Sequence, residues 1–436
     1  MLELIAYPQD AGADRLAAIL DRRLGASPQV QETVRAILQQ VRADGDAALL
    51  ALSERIENVK LETHQLRVDT AALQEALAAV PPELRQAMEA AAANIRSFHA
   101  HQHQHSWFVE AGDGVLLGKQ VTPVRRVGVC APAGEVPLFS SLMMAVIPAQ
   151  VAGVEEICVV SPPRPDGRPH PLMMAAACLL GITEVYALGG AQAVAAMAYG
   201  TATVPQVDMI VGPGSPYTVA AQQQVFGVVG IPMLPGPSEI VVLAEGGADP
   251  ELVAADLLSQ AEHGWGVAAV CITTDTVLAG QVRDQVERQL ATLPRQDVMR
   301  QALDEFGAVV VVPDLDTGME LLNRIAPEHA ELLVADPWAW LPKVRNCGAV
   351  FMGHAATEPV GDYYAGTNHI LPTNGAARYA SSLGVGDFLK TSSIICYSQQ
   401  GLERHGAHIA TLARAEQLEA HARAVDMRLD NGRKGP

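Results

Sequence analysis

The sequence predicts an α/β fold built on mainly parallel sheets, with helical segments towards both ends. From about Arg126, short apolar runs such as VGVCA, EICVVS and EVYALGG alternate with alanine-rich helical segments such as SSLMMAVIPAQVAG. That alternation is typical of βαβ units. A second set of apolar runs, GVAAVCITT and GAVVVVPD, follows Trp265 and flanks a further helical stretch. We therefore expect two Rossmann-like parallel-sheet domains, although no GxGxxG fingerprint follows a strand.

The helical segments have their own pattern. Within residues 27–96, Val34, Ile37, Leu38 and Val41 recur at helical spacing until Gly45 interrupts them. Residues 401–425 form a second helical pattern, rich in alanine and charge, which ends in the polar tail DNGRKGP. The sequence thus predicts a helical N-terminal segment and a C-terminal helical arm.

Composition limits the class of protein. The chain has 436 residues, of which 49% are hydrophobic and 18% charged, so a large buried core is expected rather than disorder. The formal net charge of −18 repels phosphate backbones and anionic lipids, which argues against nucleic acid and membrane partners. The six cysteines show no CxxC spacing, and no signal peptide or membrane-spanning run is visible. We expect a soluble cytoplasmic protein.

A histidine-rich tract, HAHQHQH, occurs at residues 99–105. Its histidines could chelate a metal, but alternate residues of a helix diverge by about 200°. We interpret His99, His101, His103 and His105 as a solvated helix end.

Two short segments carry candidate chemistry. LLSQAEHGWG places Gln260 and His263 three residues apart on a predicted helix, where an amide oxygen and an imidazole can reach one cation. NRIAPEHAELLV places Glu328 and His329 behind Pro327, which suits the first position of a helix. A carboxylate beside an imidazole fits two-step proton transfer, although a capped helix start with an incidental histidine gives the same pattern.

Two further segments add polar residues. GHAATEPVGDYYAGTNHILPTNG is a long, glycine-rich loop with Asp362 and His369, and its length favours a site over a turn. In the arm, Glu416 and His421 are five residues apart, and a straight helix would separate them by about 140°. They can serve one site only if the helix ends, bends or meets the site edge-on.

Taken in order, GPSEIVV, SQAEHG, RIAPEHAEL, GDYYAGTNHILPTNGAARYASSLGVGDF and EQLEAH resemble the histidinol dehydrogenase family of histidine biosynthesis. The resemblance covers nearly the whole chain, including NIRSFHAHQ and GGAQAVAAMAYGT. It implies oxidation of L-histidinol through the aldehyde to L-histidine, with two reductions of NAD, by homodimers that bind one zinc ion per site.

The same resemblance implies roles for individual residues. The zinc ligands would be Gln260, His263, Asp362 and, from the partner's arm, His421. Glu328 and His329 would be catalytic, with His329 taking the hydroxyl proton and Glu328 activating water. The residues that would contact substrate are Ser238, Gln260, His263, His329, Asp362, His369, Glu416 and His421. Ser238 could instead cap a helix, and His369 could be a satisfied loop histidine.

The nucleotide side departs from the family pattern. Cys130 stands where the family has a tyrosine, Ala133 replaces a glycine and Ser215 replaces an asparagine, whereas Gln192 matches. We expect Cys130, Gln192 and Ser215 to face NAD. Cysteine lacks a ring for stacking, and serine is too short to copy a bidentate amide. Further departures are Gln222 for a lysine and Pro232 and Gly264 for aspartates.

We divide the chain into four parts. Residues 1–25 are predicted as a helical segment, residues 26–129 with 236–383 as the metal and substrate domain, residues 130–235 as the nucleotide domain and residues 384–436 as the arm that reaches the partner. Three other functions remain open: a dehydrogenase for another small polyol, a non-redox paralogue that binds zinc and a metabolite, and a metal-dependent hydrolase. Glu416 argues against a sulfonated substrate, because its carboxylate would repel the sulfonate.

Overall fold

The computed structural model describes residues 2–22, 25, 27–133 and 136–432. Strands in these ranges are β1 Glu3–Ala6, β2 Trp107–Glu110, β3 Leu116–Pro123, β4 Arg126–Cys130, β5 Glu156–Ser161, β6 Glu184–Ala187, β7 Met209–Val211, β8 Glu239–Ala244, β9 Ala268–Thr273, β10 Gly307–Val311, β11 His329–Leu333, β12 Ala349–Met352 and β13 Leu389–Cys396.

The α-helices in the same ranges are α1 Asp14–Leu20, α2 Pro28–Asp44, α3 Asp46–Leu52, α4 Thr70–Ala78, α5 Pro82–Ala100, α6 Phe139–Ala152, α7 Pro171–Leu179, α8 Gly190–Tyr199, α9 Pro216–Val225, α10 Pro250–Ala261, α11 Thr276–Leu290, α12 Gln296–Phe306, α13 Leu315–Ile325, α14 Pro337–Trp340, α15 Glu358–Tyr363, α16 Gln399–Ala415 and α17 Glu419–Gly432. None of them is long and apolar enough to cross a bilayer.

A six-stranded parallel sheet has the order β1-β10-β9-β8-β11-β12. Its central strands β8, β9 and β11 are buried along their whole length, because helices cover both faces. Helices α10, α11 and α12 pack on one face, and α1 and α13 pack on the other. This sheet fixes the spacing between β8 and β11, from which the candidate site is built.

A four-stranded parallel sheet has the order β6-β5-β4-β7. Helices α2, α3, α8 and α9 form a core against it. The apolar runs VGVCA, EICVVS, EVYALGG and DMIVGPG supply these strands, so the predicted α/β fold with two parallel sheets is confirmed.

The described chain divides into two compact units. The first comprises residues 1–102 and 125–387, and the second comprises residues 103–124 and 388–436. The second unit contains an antiparallel sheet, β13-β3-β2, and the helix pair α16 and α17. The sequence did not predict this sheet, because its strands are largely exposed and lack a continuous apolar run.

Three observations bear on the predicted domain boundaries, which otherwise stay a prediction. Residues 3–6 of the predicted helical segment 1–25 form the edge strand β1, which pairs with β10. Residues 1, 23 and 24 of that segment lie outside the described residues. The predicted boundary between residues 129 and 130 falls inside β4, and β3 of the predicted first domain pairs with β13 of the predicted arm.

Candidate active site

The candidate site lies at the amino ends of two neighbouring strands. β11 begins at His329 and pairs in parallel with β8, which begins at Glu239. The prediction that Glu328 and His329 open a helix is wrong. Helix α13 ends before them, because Ala326 adopts a left-handed conformation with φ of 57°, and pairing of β11 with β8 and β12 then favours a strand.

The backbone of Glu239 holds both predicted catalytic residues. Its N–H donates to Oε2 of Glu328 at 3.0 Å, and its carbonyl accepts from Nδ1 of His329 at 3.0 Å. Nδ1 of His329 also lies 2.8 Å from Oε1 of Gln260. Because two oxygens surround Nδ1, that nitrogen carries the proton, and the lone pair of the neutral ring is on Nε2.

Nε2 of His329 is therefore the basic atom of this ring. It is buried, has no hydrogen-bond partner among the residues that the structure describes, and lies 3.9 Å from Oδ1 of Asp362. Burial lowers the pKa of His329 to about 3, so the ring is neutral near pH 7. The lone pair on Nε2 can accept a proton, but the lowered pKa makes the ring a weaker base than a free imidazole, so the proton donor must itself be acidified.

Glu328 has the opposite shift. Burial raises its pKa well above the usual range, and the nearby carboxyls of Asp362, Glu239 and Glu358 add to the increase. A carboxylate with a raised pKa is a stronger base than an exposed one. Its Oε2 lies 3.7 Å from Nδ1 of His329, so the two side chains are neighbours in one buried cluster.

A group of potential metal ligands lies next to them. Ligand atoms of His263, Glu358 and Asp362 are all within 4.8 Å of one another. These are nitrogen and oxygen donors without a thiolate, the set typical of a catalytic rather than a structural zinc site. Burial raises the pKa of Asp362 to about 6 and that of Glu358 to about 8. A cation here would offset the cost of burying these carboxylates.

Helix α10 delivers Gln260 and the loop after it delivers His263. The helix starts with Pro250 behind Asp249, whose Oδ1 accepts from the N–H of Glu251, and it ends at Ala261. The prediction that Gln260 and His263 share a helix face is therefore wrong. Gln260 lies in the last turn, whereas His263 follows the helix end and is connected to it by its N–H to the Gln260 carbonyl.

The short helix α15 delivers Glu358 and Asp362 from one face, since they are four residues apart. Gly361 makes this packing possible. A Cβ at that position would lie 2.8 Å from the ring of Phe351, whose centroid lies 5.9 Å from that of the His329 ring with the two planes tilted by 52°. Any other residue here would force either the Phe351 ring or α15 to shift.

The buried amide of Gln260 fits a metal role only in part. Its Oε1 already contacts His329, and its Nε2 has no partner among the described residues. The oxygen would have to be shared between the imidazole and a cation. His263 and Asp362 supply a nitrogen and an oxygen donor of the kind that zinc binds.

The structure places two of the predicted substrate contacts, His369 and Ser238. His369 lies 2.8 Å through Nδ1 from the carbonyl oxygen of Asp362 and 3.1 Å through Nε2 from Oγ of Ser141. This arrangement suits a satisfied loop histidine that orients the Asp362 segment. Ser238 precedes β8, so the alternative that it caps a helix is wrong.

Glu416 and His421 belong to the second unit, whereas the other predicted ligands belong to the first. Helix α16 ends at Ala415, Gln417 has a positive φ of 62°, and α17 begins at Glu419. Helix α16 therefore ends before Glu416 and α17 begins before His421, which meets the condition under which both could serve one site.

Two of the three predicted nucleotide residues line a cavity of about 330 Å³ at the carboxyl ends of the four-stranded sheet. Cys130 and Ser215 line it, together with glycines 189, 190 and 214. Gln192 is buried in the first turn of α8, and its Nε2 is unpartnered among the described residues. Oγ of Ser215 caps α9 by accepting from the N–H of Thr218 at 3.4 Å. Gly134, the last residue of the sequence CAPAG at 130–134, lies outside the described residues.

Sequence reasoning missed Glu358. Its separation of four residues from Asp362 was the available signal, because that spacing places two carboxyls on one helix face. It also missed the role of the Glu239 backbone, for which the sequence contains no signal. The predicted solvated helix end is wrong for His99, which is buried with Nδ1 at 2.8 Å from the carbonyl of Ile95.

The fold and the donor cluster together define an α/β protein with a buried carboxyl–imidazole pair beside a potential metal site. Comparison with known proteins makes the class specific. The family model for histidinol dehydrogenase matches residues 20–429. The chain belongs to the histidinol dehydrogenase family, which confirms the predicted resemblance and the predicted enzyme class, a dehydrogenase.

Individual relatives agree over nearly the full length. The chain is 49% identical to histidinol dehydrogenase from Geobacillus kaustophilus, covering 91% of this chain and 93% of the relative. It is 47% identical to the enzyme from Syntrophotalea carbinolica, covering 98% and 99%. The crystal structure of histidinol dehydrogenase from Elizabethkingia anophelis superposes with a TM-score of 0.92 at 35% identity, covering 99% of this chain and 98% of that chain.

Proposed function

We propose that the protein oxidises L-histidinol through histidinal to L-histidine with two reductions of NAD, as a zinc-dependent cytoplasmic homodimer that shares its active sites. The observation that carries this proposal is the geometry of His329. Its Nδ1 is fixed by the Glu239 carbonyl, and its basic Nε2 lies 3.9 Å from Oδ1 of Asp362 in the donor cluster. Family membership supplies the substrate and the cofactor.

In this proposal Gln260, His263, Asp362 and His421 of the partner subunit hold the zinc ion. Zinc, when bound, polarises the substrate's hydroxyl group and lowers its pKa. Nε2 of His329 then accepts the hydroxyl proton, while the Glu239 carbonyl keeps the ring oriented. NAD, when bound at the carboxyl ends of the four-stranded sheet, is the electron acceptor in both steps.

The second oxidation requires water to add to the aldehyde. Glu328 is the base for that step, because its buried carboxyl has a raised pKa and lies next to His329. Ser238 and Glu416 orient the polar groups of the substrate, with the Glu416 carboxylate matching its ammonium group in charge, and His369 contributes through the Asp362 segment to which its Nδ1 is bonded.

The proposed dimer is supported by the apolar surface of the second unit. Trp107, Phe108 and Val109 on β2 and Leu116 and Leu117 on β3 are exposed in the chain considered alone. Val109 and Leu117 are direct cross-strand partners and Trp107 lies on the same face, so this face of the sheet exposes apolar surface of the kind that is typical of an interface. Mixing inactive His329→Asn and His421→Ala chains should restore part of the turnover if each site uses both subunits. Unchanged inactivity of the exchanged mixture would contradict shared sites.

The stoichiometry of NADH tests the reaction itself. Two NADH per histidinol consumed supports oxidation to histidine. One NADH per histidinol would show that the reaction stops at the aldehyde, and none would reject the proposal.

One observation favours a divergent paralogue as the second candidate. Cys130 stands where a stacking ring is expected, and its Sγ lies 3.9 Å from Nε2 of Gln222. Ser215 uses its Oγ as a helix cap. Such a paralogue would act on another small polyol or would bind zinc and a metabolite without redox chemistry. Calorimetry that detects histidinol binding but no NAD saturation would favour the non-redox form.

A further inference from the structure

The backbone of Glu239 holds the two proposed catalytic residues at the very start of β8. Its N–H donates to Glu328 and its carbonyl accepts from His329. Glu239 pairs with Ala268 of β9, whereas the register of β8 with β11 begins one residue later, at Ile240. Glu239 therefore lies ahead of the ladder between β8 and β11, where its peptide groups bond the two side chains.

The side chain of Glu239 forms a buried ion pair. Nη1 of Arg22 lies 2.9 Å from Oε1 of Glu239, and the two side chains are only 7% and 4% exposed. Arg22 follows α1, so the partner of this carboxylate comes from the N-terminal part of the chain. Burial raises the pKa of Glu239, and the positive charge of Arg22 counteracts that increase. The pair thus keeps a carboxylate ionised in a place that water does not reach.

Two further contacts fix the guanidinium of Arg22. Its Nη2 donates to the carbonyl oxygen of Gly266, which precedes β9. Its central carbon lies 4.9 Å from the ring centroid of Phe306 at the end of α12, close enough for a cation–π contact. A planar guanidinium that meets a carboxylate, a carbonyl and a ring at once has little freedom to turn. Arg22 can therefore hold the Glu239 side chain in one position.

Loss of this guanidinium would leave Glu239 as an unpaired acid in a buried cluster. Glu239 lies beside Glu328, whose own pKa is raised by burial and by neighbouring carboxyls. A buried carboxylate without a partner takes up a proton or moves towards water. Movement of Glu239 would carry with it the N–H that bonds Glu328 and the carbonyl that orients His329.

We propose that Arg22 is a positioning residue for the oxidation: its ion pair with Glu239 fixes the amino end of β8, and the Glu239 peptide groups then hold His329 and Glu328 in their reactive orientation. The inference rests on the proposed function, since it concerns the same two residues. Arg22 acts through Glu239, so the N-terminal segment of the first unit takes part in the chemistry at a distance.

The test compares Arg22→Met with Arg15→Met in the full-length protein. Arg15 is the matched control, because it lies on α1, donates to the Leu303 carbonyl of α12 and pairs with Glu3. None of the contacts that the structure describes for it involves Glu239. Turnover with histidinol should fall about 10- to 100-fold in Arg22→Met and stay at the wild-type value in Arg15→Met. KM for NAD and zinc content should be unchanged in both variants.

Two kinetic readouts separate positioning from a loss of stability, with each variant assayed well below its unfolding midpoint. Single-turnover experiments should show the alcohol and aldehyde steps slowed by similar factors, because Glu239 holds both His329 and Glu328. Glu239→Gln keeps the peptide groups but removes the ion pair, so it should lower turnover as Arg22→Met does. The double variant should be no slower than the slower single variant. Losses that multiply in the double variant would overturn the proposal.

The ring of His329 gives a readout that does not depend on turnover. In ¹⁵N spectra of labelled histidines, the resonances that are absent from His329→Asn belong to His329, and the wild type should show the tautomer protonated on Nδ1. Arg22→Met should shift these resonances or mix the two tautomers, whereas Arg15→Met should leave them in place. Unchanged resonances in Arg22→Met, or turnover equal to that of Arg15→Met, would overturn the proposal.

The outcomes stay distinct from those of the proposed function. If Arg22→Met does not fold, Glu239→Gln carries the test, and unchanged turnover and resonances in that variant would count against the proposal. A wild type that forms no NADH with histidinol would reject the proposed function, and the His329 resonances would still decide the role of Arg22. An active wild type with an unaffected Arg22→Met variant rejects only the role of Arg22.

Discussion

The candidate sites of the two parallel sheets in the first unit lie at opposite strand ends. At the amino ends of β8 and β11, buried ionisable side chains converge around His329. At the carboxyl ends of the four-stranded sheet, a cavity is lined mainly by small and apolar residues, among them glycines 189, 190 and 214. The first region depends on individual side chains, whereas the second depends on backbone shape. Cys130 and Ser215, two positions at which we expect a departure from the family pattern, both lie in the second region.

The largest effect is expected in the first region, around His329, which depends on individual side chains. His329→Asn removes the basic Nε2, so turnover with histidinol should fall by on the order of 100- to 10,000-fold. Steady-state NADH formation measures it, and zinc content should stay unchanged. His354→Asn, an exposed histidine outside the site, is the control and should be fully active. Turnover within a few-fold of the control would show that another group accepts the proton.

Glu328→Gln should separate the two oxidation steps. The amide cannot deprotonate water, so the aldehyde step should slow by on the order of 100-fold, more than the alcohol step. The yield should drop from two NADH per histidinol towards one during a single-turnover experiment. Glu320→Gln, an exposed residue on α13, is the control. Equal slowing of both steps would assign Glu328 to positioning rather than to water activation.

Arg126 tests whether ion pairing in the four-stranded sheet stabilises the fold. Its guanidinium is nearly buried at the start of β4 and pairs with Glu156 at 2.6 Å and Glu184 at 2.5 Å. Arg126→Met should lower the free energy of unfolding by about 2 kcal/mol, since it leaves Glu184 without its guanidinium partner, whereas Glu156 keeps Arg125. Denaturant unfolding measures the loss. Arg125→Met, whose exposed side chain also pairs with Glu156, should cause no measurable change. Equal effects would show that burial is not the cause.

Ser215 gives the smallest expected effect. Ser215→Asn keeps a good N-cap for α9 and adds the longer amide, so NAD binding should tighten by about 3- to 10-fold, the contribution of one hydrogen bond. Titration calorimetry measures the Kd. Ser215→Ala loses the cap and should not tighten binding. An asparagine variant that binds NAD no better would show that the cavity does not use this position.

Much of the fold was predictable because both faces of the parallel sheets are buried. Strands such as Glu156–Ser161 and Ala268–Thr273 are continuous apolar runs that stand out from their helical neighbours. The strands β2, β3 and β13 were not predicted, because most of their residues are exposed and none of the three is a continuous apolar run.

The site was predictable in residue identity more than in local structure. Family motifs identify Glu328 and His329, but the helix expected behind Pro327 gives way to a strand, because pairing with β8 and β12 outweighs the local preference. The contact between the Glu239 backbone and both residues depends on tertiary structure, which no sequence motif records.

Removal and return of the metal tests the central claim, that a cation held beside His329 enables the oxidation. The protein is stripped with a chelator, assayed for NADH formation with histidinol and NAD, and assayed again after addition of zinc. The account predicts that turnover falls to background and returns with one zinc ion per chain. Full turnover by the stripped protein would contradict it.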